Sequence, residues 1–258
     1  MTNIYNSIIK AKAENRKLLA ILLDPDKIVW ENLEYLIQKI NQSPATHVFI
    51  GGSHVQNNIL DELIVRLKES FPFRGRGALP IVLFPGNSSQ ISAKADAILF
   101  LSLISGRNPD YLIEHQVNAV PILKKTQLEI ISTGYILIES GNETAVSRVS
   151  ETKPLDRNNS DYATHTAQAG EMLGHKLIYL EAGSGAKQAV PFEMIEKVSN
   201  NIEIPLIVGG GIIDLQGIQK AYEAGADLVV IGTAFENDPN FFEYQEQKSK
   251  IVNHHSTI

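Results

Sequence analysis

Short apolar runs rich in Leu, Ile, Val and Phe recur along the chain, and the segments between them space apolar and polar positions as helices do. The runs are LLAILLD (18–24), THVFIGG (46–52), PIVLFPG (80–86), DAILFLS (96–102), TGYILIES (133–140), KLIYLEAGSG (176–185), PLIVGGGI (205–212) and DLVVIGTAFE (227–236). They do not alternate, which suits parallel strands covered on both faces. Each is followed by a helix candidate: WENLEYLIQKI, NNILDELIVRLKES, a short segment through Ser92, NPDYLIEHQV, DYATHTAQAGEMLG, PFEMIEKVSN, LQGIQKAYEAGA and PNFFEYQEQKSKI. Eight strand–helix units in 258 residues predict an α/β fold, a single-domain (β/α)8 TIM barrel spanning 1–258 with an N-terminal helix. A doubly wound sheet is the competitor. The count favours the barrel, and so do the strand ends: Asp24, Gly51–Ser53, Pro85–Gly86, Ser102, Glu139–Ser140, Glu181, Gly209–Gly211 and Gly232–Thr233. In a barrel these polar or small residues converge on one mouth.

Segment 141–160, GNETAVSRVSETKPLDRNNS, breaks the rhythm, being polar with no clear helical stripe. It reads as a solvated loop or, because it follows strand five on the presumed active face, as a lid or wall over a site.

The net charge of −6 argues against a general nucleic-acid binder. With no cysteine, disulfides, thiolate metal sites and cysteine nucleophiles are excluded. None of the seven histidines forms an H-x-H or H-E-x-x-H pattern, and His254 and His255 lie in a polar tail. The N-terminus lacks an apolar signal core, and no stretch is long enough to span a membrane. A soluble cytoplasmic protein is expected, as is a homo-oligomer.

VGGGI after strand seven and IGTA after strand eight stand where barrels commonly bind phosphate, and EAGSGA (181–186) adds two glycines and a hydroxyl. Bare backbone N–H groups beside a helix N-terminus favour an anion there, although the same glycines would also serve tight turns. In LLDPDK (22–27), Asp24 ends strand one, either as the start of an Asp-Pro turn or as a carboxylate for Mg²⁺ beside a phosphate. Ser53 of FIGGSH (49–54) could add a hydroxyl to the ion, whereas His54 reads as a capping or packing residue. Tyr179 and Glu181 flank Leu180 on strand six, so both point inward, either to bind a polyol's hydroxyls or as a buried structural pair.

LLDPDK, FIGGSH, YLEAGSGA, VGGGI and VIGTAFE together resemble the geranylgeranylglyceryl phosphate synthase family, which includes the heptaprenylglyceryl phosphate synthases; AGEMLGHKLIYLEAGSGA is the longest continuous match. The resemblance runs from about residue 18 to 250. It implies a barrel that transfers a prenyl group, geranylgeranyl or longer, from its diphosphate to the 3-hydroxyl of sn-glycerol 1-phosphate. That reaction makes an ether-lipid precursor with Mg²⁺. By the same resemblance, Asp24 and Ser53 fall on metal positions. Tyr179, Leu180, Glu181, Ala182, Gly183, Ser184, Gly185, Gly210, Gly211, Gly232 and Thr233 fall on glycerol-phosphate positions. From the chemistry, Glu181 with Tyr179 is assigned to the reacting hydroxyl.

Part of the family has a lysine where this chain has Leu22, so Lys27 or Arg107 would have to supply that charge if it is needed. The donor's membrane solubility implies transient contact with a bilayer. Residues around AILFLSLISG (97–106) could form part of its apolar groove. The rivals are another phosphate-binding barrel isomerase, aldolase or synthase, for which Lys124 or Lys125 would be the candidate lysine, and a non-catalytic phosphate-ligand binder.

Overall fold

The computed structural model describes residues 3–52, 57–71 and 79–243. Eight strands form a closed, all-parallel barrel: β1 Leu18–Leu23, β2 His47–Ile50, β3 Ile81–Leu83, β4 Ala97–Leu103, β5 Glu129–Leu137, β6 Leu177–Glu181, β7 Leu206–Gly209 and β8 Leu228–Ile231. Each strand pairs with the next, and β8 closes on β1 through Leu18 opposite Leu228 and Ile21 opposite Ile231.

Along each strand, side chains alternate between two cores. Leu18, Ala20, Phe49, Val82, Leu99, Tyr135, Tyr179, Ile207 and Val230 fill the barrel interior. Leu19, Ile21, Val48, Ile50, Leu180, Val208 and Val229 pack outward under the helices. Both faces of the strands are largely apolar, hence the hydrophobic runs.

The α-helices among the described residues are α1 Ile4–Ala13, α2 Leu33–Gln42, α3 Asn57–Ser70, α4 His115–Leu123, α5 Ala145–Val149, α6 Ser160–Met172, α7 Phe192–Ser199, α8 Leu215–Glu223 and α9 Thr233–Asn237. α1 closes the barrel where the strands begin. Its Ile4, Ile8 and Ala11 join the interior core. The N–H groups of Ile4 and Tyr5 donate to the Glu129 carboxylate at 2.6 and 2.9 Å, and Lys12 Nζ lies 3.0 Å from Asp227 Oδ2.

Four expectations change. No helix follows β3: residues 84–96 make turns, and Gln90 Oε1 accepts the Gly86 N–H at 2.8 Å. β5 begins at Glu129 rather than 133, because its pairing with β4 starts at Ala97 opposite Glu129. The segment 141–160 contains a helix, α5, that the polar composition hid; Thr144 and Ser147 form a reciprocal capping box at its start. A further short helix, α9, begins directly at Thr233. The predicted final helix at 239–251 lies mostly outside the described residues, as do His254 and His255.

His47, in the lower interior, is buried, and its Nε2 has no partner among the described residues. Burial, helped by the charge of Arg16, lowers its pKa from 6.5 to about 4. The folded protein therefore holds His47 neutral while the unfolded chain protonates it below pH 6.5. This contribution to stability is complete above that pH and is lost as pH falls towards about 4. The gap is worth about 3 kcal/mol. Denaturant unfolding at pH 7 and pH 4.5 is expected to show this loss, and His47→Gln is expected to flatten the slope. An identical pH dependence in the two proteins would contradict the assignment.

Candidate functional site

β6 carries its inward residues to the mouth. Tyr179 is fully buried and Glu181 nearly so. Glu181 Oε1 accepts the Gly183 N–H at 2.6 Å, which fixes the carboxylate against the loop after β6. Burial raises the pKa of Glu181, while the nearby Tyr179 hydroxyl and the Gly183 N–H pull it back. Tyr179 is raised well above the usual phenol range, first by burial and then by the Glu181 charge. Its hydroxyl completes no hydrogen bond of ordinary geometry among the described residues. A buried hydroxyl whose contact with Glu181 is poorly aligned suggests a ligand oxygen as a further neighbour. The rings of Phe84, Tyr135 and Tyr179 pack at 5.4–5.8 Å between centroids and floor the mouth.

The glycine loops stand beside this pair. Gly210 has φ +80°, and a Cβ there would overlap Glu181 Oε1 and lie 2.6 Å from the Gly183 nitrogen. Only glycine lets the β7 loop approach the carboxylate so closely. Ser184 Oγ and Thr233 Oγ1 lie 3.3 Å apart, joining the loops after β6 and β8. The N–H groups of Gly185 and Gly211 have no partner among the described residues. Backbone donors, two hydroxyls and the first turn of α9 thus face one volume, a set suited to phosphate.

Across the mouth, Asp24 caps the turn that follows β1, accepting the Asp26 N–H at 3.2 Å. A Cβ on Gly52 would overlap Asp24 Oδ1, so the end of β2 also leaves room for this carboxylate. The Asp24 N–H donates to Glu236 Oε1 at 3.1 Å. Lys27 Nζ lies 3.5 Å from Asp24 Oδ2 and 3.0 Å from Glu236 Oε2. Burial lowers the Lys27 pKa, but the Glu236 hydrogen bond and the two carboxylate charges outweigh it and leave it raised. Asp24 and Glu236 offer hard oxygen donors at a corner that already holds a cation, which fits Mg²⁺ with one or two carboxylates and phosphate oxygens completing its shell.

These parts line one cavity of about 860 Å³. Away from the polar pole its wall is apolar and includes Ile98, Leu99, Phe100, Leu101, Leu103 and Ala119. This is the region around AILFLSLISG singled out in the sequence. Val146 and Val149 of α5 also line it, so the segment 141–160 supplies a wall of the site.

Most residues singled out from the sequence meet here: Asp24, Tyr179, Glu181, Gly183, Ser184, Gly185, Gly210, Gly211, Gly232 and Thr233. Leu180 and Ala182 do not; they pack outward in the helix-side core, as alternation along a strand requires. Ser53 and His54 lie outside the described residues. Lys124 and Lys125 are exposed at the C-terminal end of α4, away from the cavity. Arg107 bonds the carbonyls of Ile104 and Gly106 and the Tyr162 hydroxyl beside a neighbouring cavity. Glu236 and Phe84 were not anticipated. The signal for Glu236 was the acidic end of GTAFE; for Phe84 it was the aromatic at the end of run three. No helix among the described residues is long and apolar enough to cross a membrane.

Comparison with known proteins shows the family. The model of the PcrB family matches residues 10–253. The chain is 70% identical over 243 residues to a geranylgeranylglyceryl phosphate synthase of Flavobacterium johnsoniae, covering 94% of this chain and 98% of the relative. It is 51% identical over 237 residues to one of Zunongwangia profunda, covering 92% and 98%. Among solved structures, (S)-3-O-geranylgeranylglyceryl phosphate synthase from Thermoplasma acidophilum, in complex with its substrate sn-glycerol-1-phosphate, superposes with a TM-score of 0.86 at 30% identity, covering 94% and 95% of the two chains. With that match over nearly its whole length, the chain belongs to the PcrB family, among the geranylgeranylglyceryl phosphate synthases.

Proposed function

We propose that this prenyltransferase joins a long-chain prenyl group, geranylgeranyl first among candidates, to the 3-hydroxyl of sn-glycerol 1-phosphate. The reaction is Mg²⁺-dependent and forms an ether-linked precursor of membrane lipids. The observation that carries the reading is a single cavity with an anion-binding pole of glycine loops, a buried carboxylate beside it and an apolar wall beyond. The names of the relatives and the ligand of the Thermoplasma structure support it.

The loop N–H groups and the hydroxyls of Ser184 and Thr233 hold the acceptor phosphate. Glycerol phosphate extends only a few ångströms, so its hydroxyls reach Glu181 and Tyr179. The ionised Glu181 carboxylate accepts the hydroxyl proton as the oxygen bonds C1 of the prenyl chain. The bond from C1 to the diphosphate breaks, and its electron pair leaves with diphosphate. Asp24, with Glu236 beside it, would hold Mg²⁺, which supplies neutralisation of the charge on the departing diphosphate. The apolar wall aligns the donor and excludes water, so that positioning supplies much of the rate.

Asp24→Asn is expected to raise the Mg²⁺ needed for half-maximal rate and to slow turnover at saturating metal. An unchanged metal titration would return Asp24 to its turn. The whole reading is tested by incubating the protein with Mg²⁺, labelled sn-glycerol 1-phosphate and prenyl diphosphates of several lengths. An ether product is expected. Binding without product would favour a non-catalytic barrel, and neither binding nor product would favour a different phosphate substrate.

A further inference from the structure

Among the described residues that line the cavity, Lys27 is the one lysine or arginine. Its ammonium sits between the two carboxylates of the Asp24 corner, 3.5 Å from one and 3.0 Å from the other. The carboxylates are held by the barrel. Asp24 follows β1, Glu236 follows β8, these strands are paired, and the Asp24 N–H donates to Glu236. Their side chains are 19% and 14% exposed, whereas that of Lys27 is 49% exposed. The cation is therefore the mobile member of the trio: a point charge on a flexible four-carbon stem in an exposed, weak ion pair.

We propose that Lys27 is a built-in counter-ion, occupying in the ligand-free enzyme the place between Asp24 and Glu236 that a divalent cation takes, and turning to the donor's diphosphate when that cation enters. The proposal rests on the reading that donor and metal meet at this corner. Without Lys27, two neighbouring carboxylates would face the cavity unneutralised, a costly arrangement at partly buried positions. With Lys27 fixed in place, the divalent cation would have to bind against a positive charge a few ångströms away. Displacement resolves both, and it delivers the cavity's own cation to the most highly charged part of the incoming substrate.

The two roles pull in opposite directions when Lys27 is removed, which makes them measurable. Mn²⁺ binding to the ligand-free protein, followed by its electron paramagnetic resonance signal, is expected to be about tenfold tighter in Lys27→Met than in wild type, since the ion no longer has to displace an ammonium from the two carboxylates. The KM for prenyl diphosphate is expected to rise at least tenfold in the same variant. Lys27→Arg, which keeps the charge, is expected to hold Mn²⁺ affinity near the wild-type value. Circular dichroism checks the folding of each protein, and Lys27→Gln stands in should the methionine variant not fold. Equal or weaker Mn²⁺ binding in the charge-removing variant overturns the proposal. Asp24→Asn separates this from failure of the underlying reading. If it binds Mn²⁺ as wild type does, the metal lies elsewhere. If it loses Mn²⁺ while Lys27→Met matches wild type, only the role of Lys27 falls.

Discussion

Glu181→Gln is expected to lower kcat by about 10²–10⁴-fold, the usual worth of positioned general acid–base help. The substitution keeps the shape of the side chain, and the amide oxygen can still accept the Gly183 N–H that anchors Oε1 at 2.6 Å. The fold and the phosphate cradle should survive, so the loss reports the charge. The direction of its pKa adds a second reading. Burial raises the Glu181 carboxyl, and the base works only when ionised. Activity should therefore fall with acid at a higher pH than an ordinary glutamate would set, and the variant should lack that limb. If the affinity for sn-glycerol 1-phosphate holds while turnover drops, proton acceptance gains over mere binding. Wild-type turnover together with wild-type affinity would leave Glu181 as a structural partner of Tyr179.

The other large effect is expected at Gly210. Alanine there must adopt a left-handed backbone at φ +80° while its methyl meets Glu181 Oε1, the Gly183 nitrogen at 2.6 Å and the Ala182 nitrogen at 2.8 Å. The strain costs about 1–3 kcal/mol of stability. The collision moves the Glu181 carboxylate and the glycine loop together, so on the proposed mechanism kcat/KM for sn-glycerol 1-phosphate should fall by about 10²-fold or more. Gly185→Ala shares the left-handed strain, at φ +71°, but its methyl meets nothing within 4 Å, so its loss should be smaller. Calorimetry and steady-state kinetics on the two folded variants make the comparison. Equal losses would show that the close approach of β7 to Glu181 is irrelevant to the site.

The barrel was legible because both faces of each strand are buried, so the strands stand out as apolar runs, and Tyr179 and Glu181 could be turned inward by alternation alone. The same alternation places Leu180 and Ala182 outside the cavity, a distinction that a motif read as a continuous block does not make. Two helices were hidden by their brevity. α5 and α9 have five residues each, too few to show a helical stripe. Missing α9 also hid Glu236, whose place beside Asp24 depends on β8 pairing with β1 across the closure of the barrel, a contact 212 residues apart in sequence. The turn-only passage after β3 escaped notice because its polar residues bond locally, as Gln90 does to Gly86, and such bonds leave no periodic signature.

The most direct measurement is a crystal structure of the protein soaked with sn-glycerol 1-phosphate. The phosphate is expected against Gly185, Gly210–Gly211 and Gly232–Thr233, within hydrogen-bond distance of Ser184, with the 3-hydroxyl on the Glu181 carboxylate and facing the apolar wall. Density for the phosphate elsewhere, or a bound molecule whose 3-hydroxyl points away from Glu181, would contradict the proposed site.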